Sequence, residues 1–339
     1  MDLFLPAEWS EQCGVQLTWP HKNSDWAPLL DEVRSCFIEI ARQIVKREKL
    51  LIVCHSEEEV RDDLKGISTE RILFREIPSN DTWARDHGPI TVFKDGIACL
   101  CDFRFNGWGM KFVANWDNQI TSALFASSIF DNGVEYCGIL PFVLEGGSIE
   151  SDGKGTILTT RECLMSLNRN EHLSQKEIEE YLSLTLGAKR FLLLNHGYLA
   201  GDDTDSHVDT LARFCDERTI AYVQCLDQSD EHYDALRKME EELLSFKTID
   251  GNPYRLIPLP MAEACYDGED RLPATYANFL IMNDAVLVPI YNCSTDDLAL
   301  RQLASAFPSR EIVGIDCRVL IKQHGSLHCV TMQYPQGVF

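Results

Sequence analysis

The chain has 339 residues, 45% of them hydrophobic and 25% charged, and a formal net charge of −22. That composition describes a soluble globular protein, long enough for one large domain or two smaller ones. No basic stripe exists to neutralise phosphates, which argues against a nucleic-acid partner. An acidic field instead attracts small cations, although surface carboxylates also serve plain solubility.

Thirteen cysteines are scattered from Cys13 to Cys329, with no C-x-x-C among them. An odd count without ligand spacing fits neither a disulfide framework nor a zinc ribbon, so most are expected to be buried small hydrophobes in a reducing compartment. Cys99 and Cys101 are expected on opposite faces of one strand. The N-terminus lacks a basic region followed by an apolar core, and no apolar run approaches the ~20 residues of a membrane span. The expectation is a cytoplasmic protein with no targeting segment and no membrane association.

In chain order, residues 28–48 carry a helical stripe (Leu29, Leu30, Val33, Phe37, Ile40, Ile44) with Pro28 in its first turn. β runs follow at residues 50–54 and 72–77. A polar loop, residues 80–88, leads into a hairpin of residues 90–93 and 97–105 around Lys94-Asp95-Gly96. The order then recurs. A helix at 120–130 and a strand near 134–140 precede the loop Leu144-Glu145-Gly146-Gly147. Strands at 148–150 and 156–160 flank a turn. Ser174 and Glu177 form a capping-box match opening a helix to about Leu186. A strand at 191–194 and the loop 202–209 lead to strands at 210–214 and 220–225.

A fourth unit has a helix at 231–246, a strand at 254–259, a loop at 271–274 and a hairpin of residues 276–282 and 285–290. The fifth opens a helix with Ser294 and Asp297, continues through a strand at 311–315, and reaches the loop at Gln323 and the strand beginning after Cys329. About five units at a spacing of roughly sixty residues lie in the range of stacked or radial modules. Asp86, Glu145, His207 with Asp209, and Cys329 each occupy the loop-to-hairpin junction of their own unit. A ring of units would bring those junctions together, whereas an ordinary α/β sheet with polar loops would not.

One thiol, one imidazole and three carboxylates are an unusual setting for a protease nucleophile, because carboxylates oppose thiol ionisation. The conflict disappears if the substrate itself is cationic. A guanidinium is planar and offers forked donors to carboxylates, leaving its central carbon open to sulfur. His207 is then the candidate acid and base; His328, on the opposite face of a strand from Cys329, is not.

The chain resembles the agmatine deiminase family, whose bacterial members include peptidylarginine-deiminase-like sequences. The matching pieces are Pro6-Ala7-Glu8-Trp9, Leu17-Thr18-Trp19-Pro20, Thr82-Trp83-Ala84-Arg85-Asp86-His87-Gly88-Pro89, Asn106-Gly107-Trp108-Gly109, Leu144-Glu145-Gly146-Gly147-Ser148, the stretch from Gly201 through His207-Val208-Asp209, and Gly325-Ser326-Leu327-His328-Cys329-Val330-Thr331. The resemblance implies one catalytic domain over residues 1–339, an α/β five-bladed, pseudo-fivefold propeller of ββαβ units with the active site in its central channel. It implies Cys329 as nucleophile forming a covalent amidino-thioether, Asp86 and Asp209 holding the guanidinium nitrogens, His207 as acid and then base, Glu145 beside that histidine, and no metal or organic cofactor.

Trp83 and Trp108 are candidates to wall the channel and stack on a cation, Asp81 to meet a distal amine, and Arg85 to meet a substrate carboxylate. The implied reaction is deimination of agmatine to N-carbamoylputrescine and ammonia. Free arginine, peptidyl arginine and amidine transfer remain alternatives within the chemistry. A cysteine peptidase and a non-catalytic binder of small cations are alternatives of other classes. The expected partner is a small cationic guanidine, and a symmetric homodimer is the default assembly.

Overall fold

The strong periodicities are those that bury. A computed structural model describes residues 2–339. Its helix Leu30–Val45 places Val33, Phe37, Ile40 and Ile44 against the core, all fully buried. Lys49–Cys54 runs parallel to neighbours on both sides, Gln12–Thr18 and Ile72–Glu76. A strand covered on both faces reads as an unbroken apolar run, and Leu50, Leu51, Ile52 and Val53 are all buried.

The architecture is α/β, with five sheets of three or four strands and a separate two-stranded hairpin among the described residues. Each sheet repeats one plan: an antiparallel pair, a helix, then a strand added in parallel. In the first, Ile90–Lys94 pairs with Ile97–Arg104, and Glu135–Val143 joins after the helix Ile120–Ala126. In the second, Ile149–Ser151 pairs with Thr156–Thr160, and Arg190–Leu194 returns after the helix Gln175–Leu186. The third combines Ala212–Asp216, Thr219–Gln224 and Arg255–Pro260, and the fourth Leu280–Ile281, Ala285–Ile290 and Glu311–Asp316.

The fifth sheet joins the two ends of the chain. Thr331–Pro335 lies antiparallel to Gln12–Thr18, with Thr331 opposite Leu17. The segment before it also reaches the first sheet, where Leu3–Phe4 pairs with Ile90–Lys94. Gly187 ends the helix Gln175–Leu186 in the left-handed region (φ 72°) beneath this segment; a Cβ there would lie 2.0 Å from the Leu3 carbonyl oxygen.

Several expectations need correction. Cys99 and Cys101 share a face, as residues two apart in a strand must, and Cys101 stands opposite Cys137 on the parallel neighbour. The helix expected at Ser294 begins later, at Asp296, without a side-chain cap. Asp296 instead accepts from the backbone N–H groups of Tyr291 and Cys293 and from the Tyr276 hydroxyl. The strand expected from Val330 begins at Thr331, which leaves Cys329 in the turn before it. No helix among the described residues is long and apolar enough to cross a membrane.

The capping box is formed as read: the Ser174 hydroxyl accepts from the Glu177 N–H, and the Glu177 carboxylate accepts from the Ser174 N–H. Ser174→Ala is therefore expected to destabilise the protein by about 1 kcal/mol, measurable as a lower urea midpoint at unchanged slope.

Candidate active site

Five short turns, one before the first strand of each sheet, bring buried polar side chains together. Asp86 lies on the one-turn helix Ala84–His87 ahead of Ile90. Glu145 and Gly147 flank the start of the 3-10 turn Gly146–Ser148. His207 and Asp209 lie at the 3-10 turn Val208–Thr210. Asn278 stands two residues before Leu280, and Cys329 two before Thr331. All six side-chain-bearing residues are less than a tenth exposed.

Cys329 Sγ lies 3.8 Å from Asp209 Oδ2 and 3.4 Å from Asn278 Oδ1. Asn278 ties two turns together: its Oδ1 accepts from the His328 N–H at 2.9 Å, and its Nδ2 donates to the Asp209 carbonyl at 3.3 Å. Asp86 accepts from the Trp108 indole at 2.9 Å and the Gly147 N–H at 3.0 Å. His207 Nδ1 stands 3.7 Å from Asp86 Oδ1, and its Nε2 4.0 Å from Glu145 Oε2. Neither His207 nitrogen nor Asp209 Oδ1 has a hydrogen-bond partner. Buried polar atoms rarely stay unpaired, so these three mark a place prepared for a polar ligand.

Two backbone features make room for this arrangement. A Cβ at Gly147 would lie 2.7 Å from His207 Nδ1, 3.0 Å from Asp86 Oδ1 and 3.1 Å from Asp209 Oδ2, so only glycine lets the three approach. Trp108 adopts φ 55°, ψ 50°, a left-handed conformation uncommon for a bulky residue. Held between Gly107 and Gly109, that strain aims the indole at Asp86.

The protonation states follow from burial and neighbours. Burial raises the Cys329 thiol well above its ordinary value, and Asp209 and Asp86 raise it further, so it is a neutral thiol at pH 7. Burial brings Asp86 up to about 6, against the pull of His207. Burial acts to lower His207, but Asp86 and then Cys163 and Glu145 hold it well above its usual value, so it is protonated. Asp209 is raised by burial yet ends below its ordinary value through the hydrogen bond and charge of His328. Glu145 is fixed by Arg169, whose Nε lies 2.9 Å from both carboxylate oxygens. Arg169 also donates to Asp205 and the Thr204 carbonyl.

A cavity opens onto Cys329 and Asp86. Trp83 and Trp108 line it, with Asp25, Asp81 and Asp203 among the other lining residues. Asp81 accepts from the Trp26 indole at 3.1 Å, and burial brings its carboxyl up to about 6. Asp203 is likewise raised to about 6 by burial. Trp83 packs under Gly325, where a Cβ would lie 2.2 Å from its ring.

Arg85 does not join this cavity. Its guanidinium turns the other way, to Glu8 at 2.9 Å and to Gln333, and it lines a separate cavity with Met332 and Thr91. Consecutive helical residues point about 100° apart, so Asp86 and Arg85 cannot both face Cys329. The loop at Arg271, expected as the fourth junction, is also elsewhere: Arg271 pairs with Asp230 at 2.7 Å. Asn278 fills that junction instead, two residues before Leu280 as Cys329 is two before Thr331. Arg169 carried no local signal, and Glu8 lay in the matching piece Pro6-Ala7-Glu8-Trp9 without a role. His328, expected on the far face of a strand, lies in the turn before it, and its Nδ1 meets Asp209 Oδ2 at 2.8 Å.

Arg169→Leu would leave Glu145 buried without its cation. A loss of about 3–5 kcal/mol is expected, read as a large drop in the denaturation midpoint.

The comparisons with known proteins agree with this geometry. Residues 4–335 match the family described as Porphyromonas-type peptidyl-arginine deiminase. A Vibrio parahaemolyticus protein named "Putative agmatine deiminase" is 34% identical, over 98% of this chain and 96% of its own. A crystal structure named as the "Putative Arginine Deiminase" of Porphyromonas gingivalis is 56% identical, with a TM-score of 0.97 and full coverage of both chains. A C. jejuni agmatine deiminase, solved as a cysteine-to-serine variant with substrate bound, is 38% identical, with a TM-score of 0.92 and coverage of 100% and 98%. With a buried cluster of one thiol, one imidazole and carboxylates, the chain belongs to the agmatine deiminase and Porphyromonas-type peptidyl-arginine deiminase family, hydrolases acting on guanidino C–N bonds.

Proposed function

We propose that the protein hydrolyses agmatine to N-carbamoylputrescine and ammonia through a covalent amidino-cysteine intermediate. The observation that carries the choice of substrate is the charge of the cavity. Asp25, Asp81, Asp86 and Asp203 line it, and no lysine or arginine does. Nearby Lys111 is committed to Asp205 at 2.7 Å and to the Asp203 carbonyl. Arg104, at the end of the strand Ile97–Arg104, is exposed and does not line the cavity. Agmatine carries a cation at both ends, so this lining suits it, whereas the carboxylate of free arginine would meet four acids and no lysine or arginine.

In this reading Asp86 and Asp209 take the guanidinium nitrogens, with the unpartnered Asp209 Oδ1 as one acceptor. The arriving cation offsets the two carboxylates that keep Cys329 protonated, and the thiol ionises as substrate binds. Sulfur attacks the guanidinium carbon. His207, protonated beforehand, gives its proton to the departing nitrogen, and ammonia leaves. The neutral imidazole then takes a proton from water, whose oxygen attacks the amidino carbon. Collapse expels Cys329 and releases the ureido product.

We also infer that the five sheets are the blades of a propeller. Pairing of Thr331–Pro335 with Gln12–Thr18 would close the ring, and the five turns would face its central channel. This accounts for residues from five units converging on one place.

Ammonia and ureido product should form from agmatine, and not from free arginine or a blocked arginine peptide, with Cys329→Ala inactive. Turnover of arginine or the peptide instead would overturn the substrate assignment and keep the chemistry. His207→Ala should lower kcat about 10²–10⁴-fold. Asp86 must be ionised to hold a cation, and its carboxyl lies at about 6. The acid limb of kcat/KM should therefore bend near pH 6, activity falling as pH drops below it; a limb near pH 4 would contradict this role.

A further inference from the structure

The segment Pro6-Ala7-Glu8-Trp9 has no part in the chemistry above, yet Glu8 lies directly behind the catalytic turns. Its Oε1 accepts from Arg85 Nη1 at 2.9 Å and meets His328 Nε2 at 2.8 Å. Its Oε2 accepts from Arg213 Nη2 at 2.5 Å and from Gln333 Nε2 at 3.1 Å. Three of these partners adjoin a residue of the site. Arg85 immediately precedes Asp86, His328 immediately precedes Cys329, and Arg213 lies in the strand Ala212–Asp216 that follows Asp209. One carboxylate thus connects the turns that deliver Asp86, Asp209 and Cys329.

The line runs on into the site. His328 stands between two carboxylates, with Nε2 on Glu8 and Nδ1 on Asp209 Oδ2, both at 2.8 Å. That contact occupies Asp209 Oδ2 and leaves Oδ1 without a partner. The imidazole cannot rotate without losing both carboxylates. Arg85, Arg213 and His328 are all nearly or fully buried, so the negative charge on Glu8 faces two guanidinium groups and an imidazole that water does not reach. Glu150 supplies Arg213 with a second carboxylate and Asp209 supplies one to His328; Arg85 has Glu8 alone. An amide at position 8 would keep the shape and remove the charge, leaving the buried Arg85 guanidinium uncompensated.

We propose that Glu8 is a positioning residue for the reaction: acting through Arg85, Arg213 and His328, it fixes the orientation of Asp209 and the placement of the turn carrying Cys329. The proposal rests on Cys329 being the nucleophile of the reading above. Glu8 itself touches no reacting atom. Its loss should act on the rate of the chemical step more than on substrate affinity, because the carboxylates remain present but are no longer held in register.

The test uses the full chain as wild type, Glu8→Gln, His328→Gln and the double variant. Two rates are measured beside the melting temperature: kcat and KM with agmatine, and alkylation of Cys329 by chloroacetamidine, a small amidinium electrophile, located by peptide mass spectrometry. Folded Glu8→Gln is expected to lose at least tenfold in kcat and in amidinium alkylation, with KM moving less than threefold. Alkylation by neutral iodoacetamide should change less, which a general loosening of the turn would not produce. The double variant should lose no more than the worse single one, since both break one line of contacts. Wild-type rates in a folded Glu8→Gln protein, or fully additive losses in the double variant, would overturn the proposal. If Glu8→Gln does not fold, Glu8→Asp keeps the charge and shortens its reach. A severalfold loss is expected there, and an unchanged rate would equally overturn it. Should the wild type ignore agmatine but still react with chloroacetamidine at Cys329, the substrate assignment fails while the alkylation rates still decide the role of Glu8.

Discussion

Carboxylates held out of water are the constraint on which this structure turns. Asp86, Glu145 and Asp209 are each less than a twentieth exposed; Glu145 and Asp209 both repel the charge of Asp86, and Asp86 and Asp209 suppress ionisation of Cys329. An uncompensated buried charge costs several kcal/mol, so each must have a counter-charge, a hydrogen bond or a proton. Glu145 has Arg169, Asp209 has His328, and Asp86 has an indole N–H, a backbone N–H and the nearby cation of His207. What is left over is an acceptor on Asp209 and an unpaired imidazole.

The supporting groups lie behind the site, arranged as a second layer of charge. Arg169 is held by Asp205 and a carbonyl as well as by Glu145, and Arg213 by Glu150 and two carbonyl groups as well as by Glu8. Multidentate arginine suits this work because its guanidinium stays charged when buried and its donors have fixed directions. The result is preorganisation: the groups facing the ligand are aimed before it arrives.

Repetition in the fold explains how so few residues suffice. Each sheet contributes one turn at an equivalent position, and the equivalence is topological, since the units share almost no sequence. Pairing of the last strand with Gln12–Thr18 brings a cysteine near the C-terminus beside an N-terminal strand. Without it, Cys329 and Asp86 would have no reason to share a cavity. The alternation of apolar strands with amphipathic helices was legible residue by residue, as were the capping box at Ser174 and the Asp95-Gly96 turn. The errors cluster where tertiary contacts outweigh local pattern. The buried stretch from Tyr276 to Asn278 reads as strand by composition but is loop, which hid Asn278. Asp296 displaced Ser294 from the start of its helix because buried Tyr276 and two backbone N–H groups needed an acceptor.

Residue chemistry and short-range order are written in the chain itself. A thiol, an imidazole and acids at matching junctions, within motifs that identify the family, suffice to name the family and the class of reaction. Direction and protonation are not written there, because they depend on contacts between distant segments. Whether Arg85 or Asp86 faces the cavity depends on Glu8, 77 residues earlier. Whether Asp209 is ionised depends on His328, 119 residues later, which in turn meets Glu8 across 320 residues of sequence. Burial sets the size of each electrostatic interaction and its neighbours set the sign, and both exist only once the sheets have closed around the site.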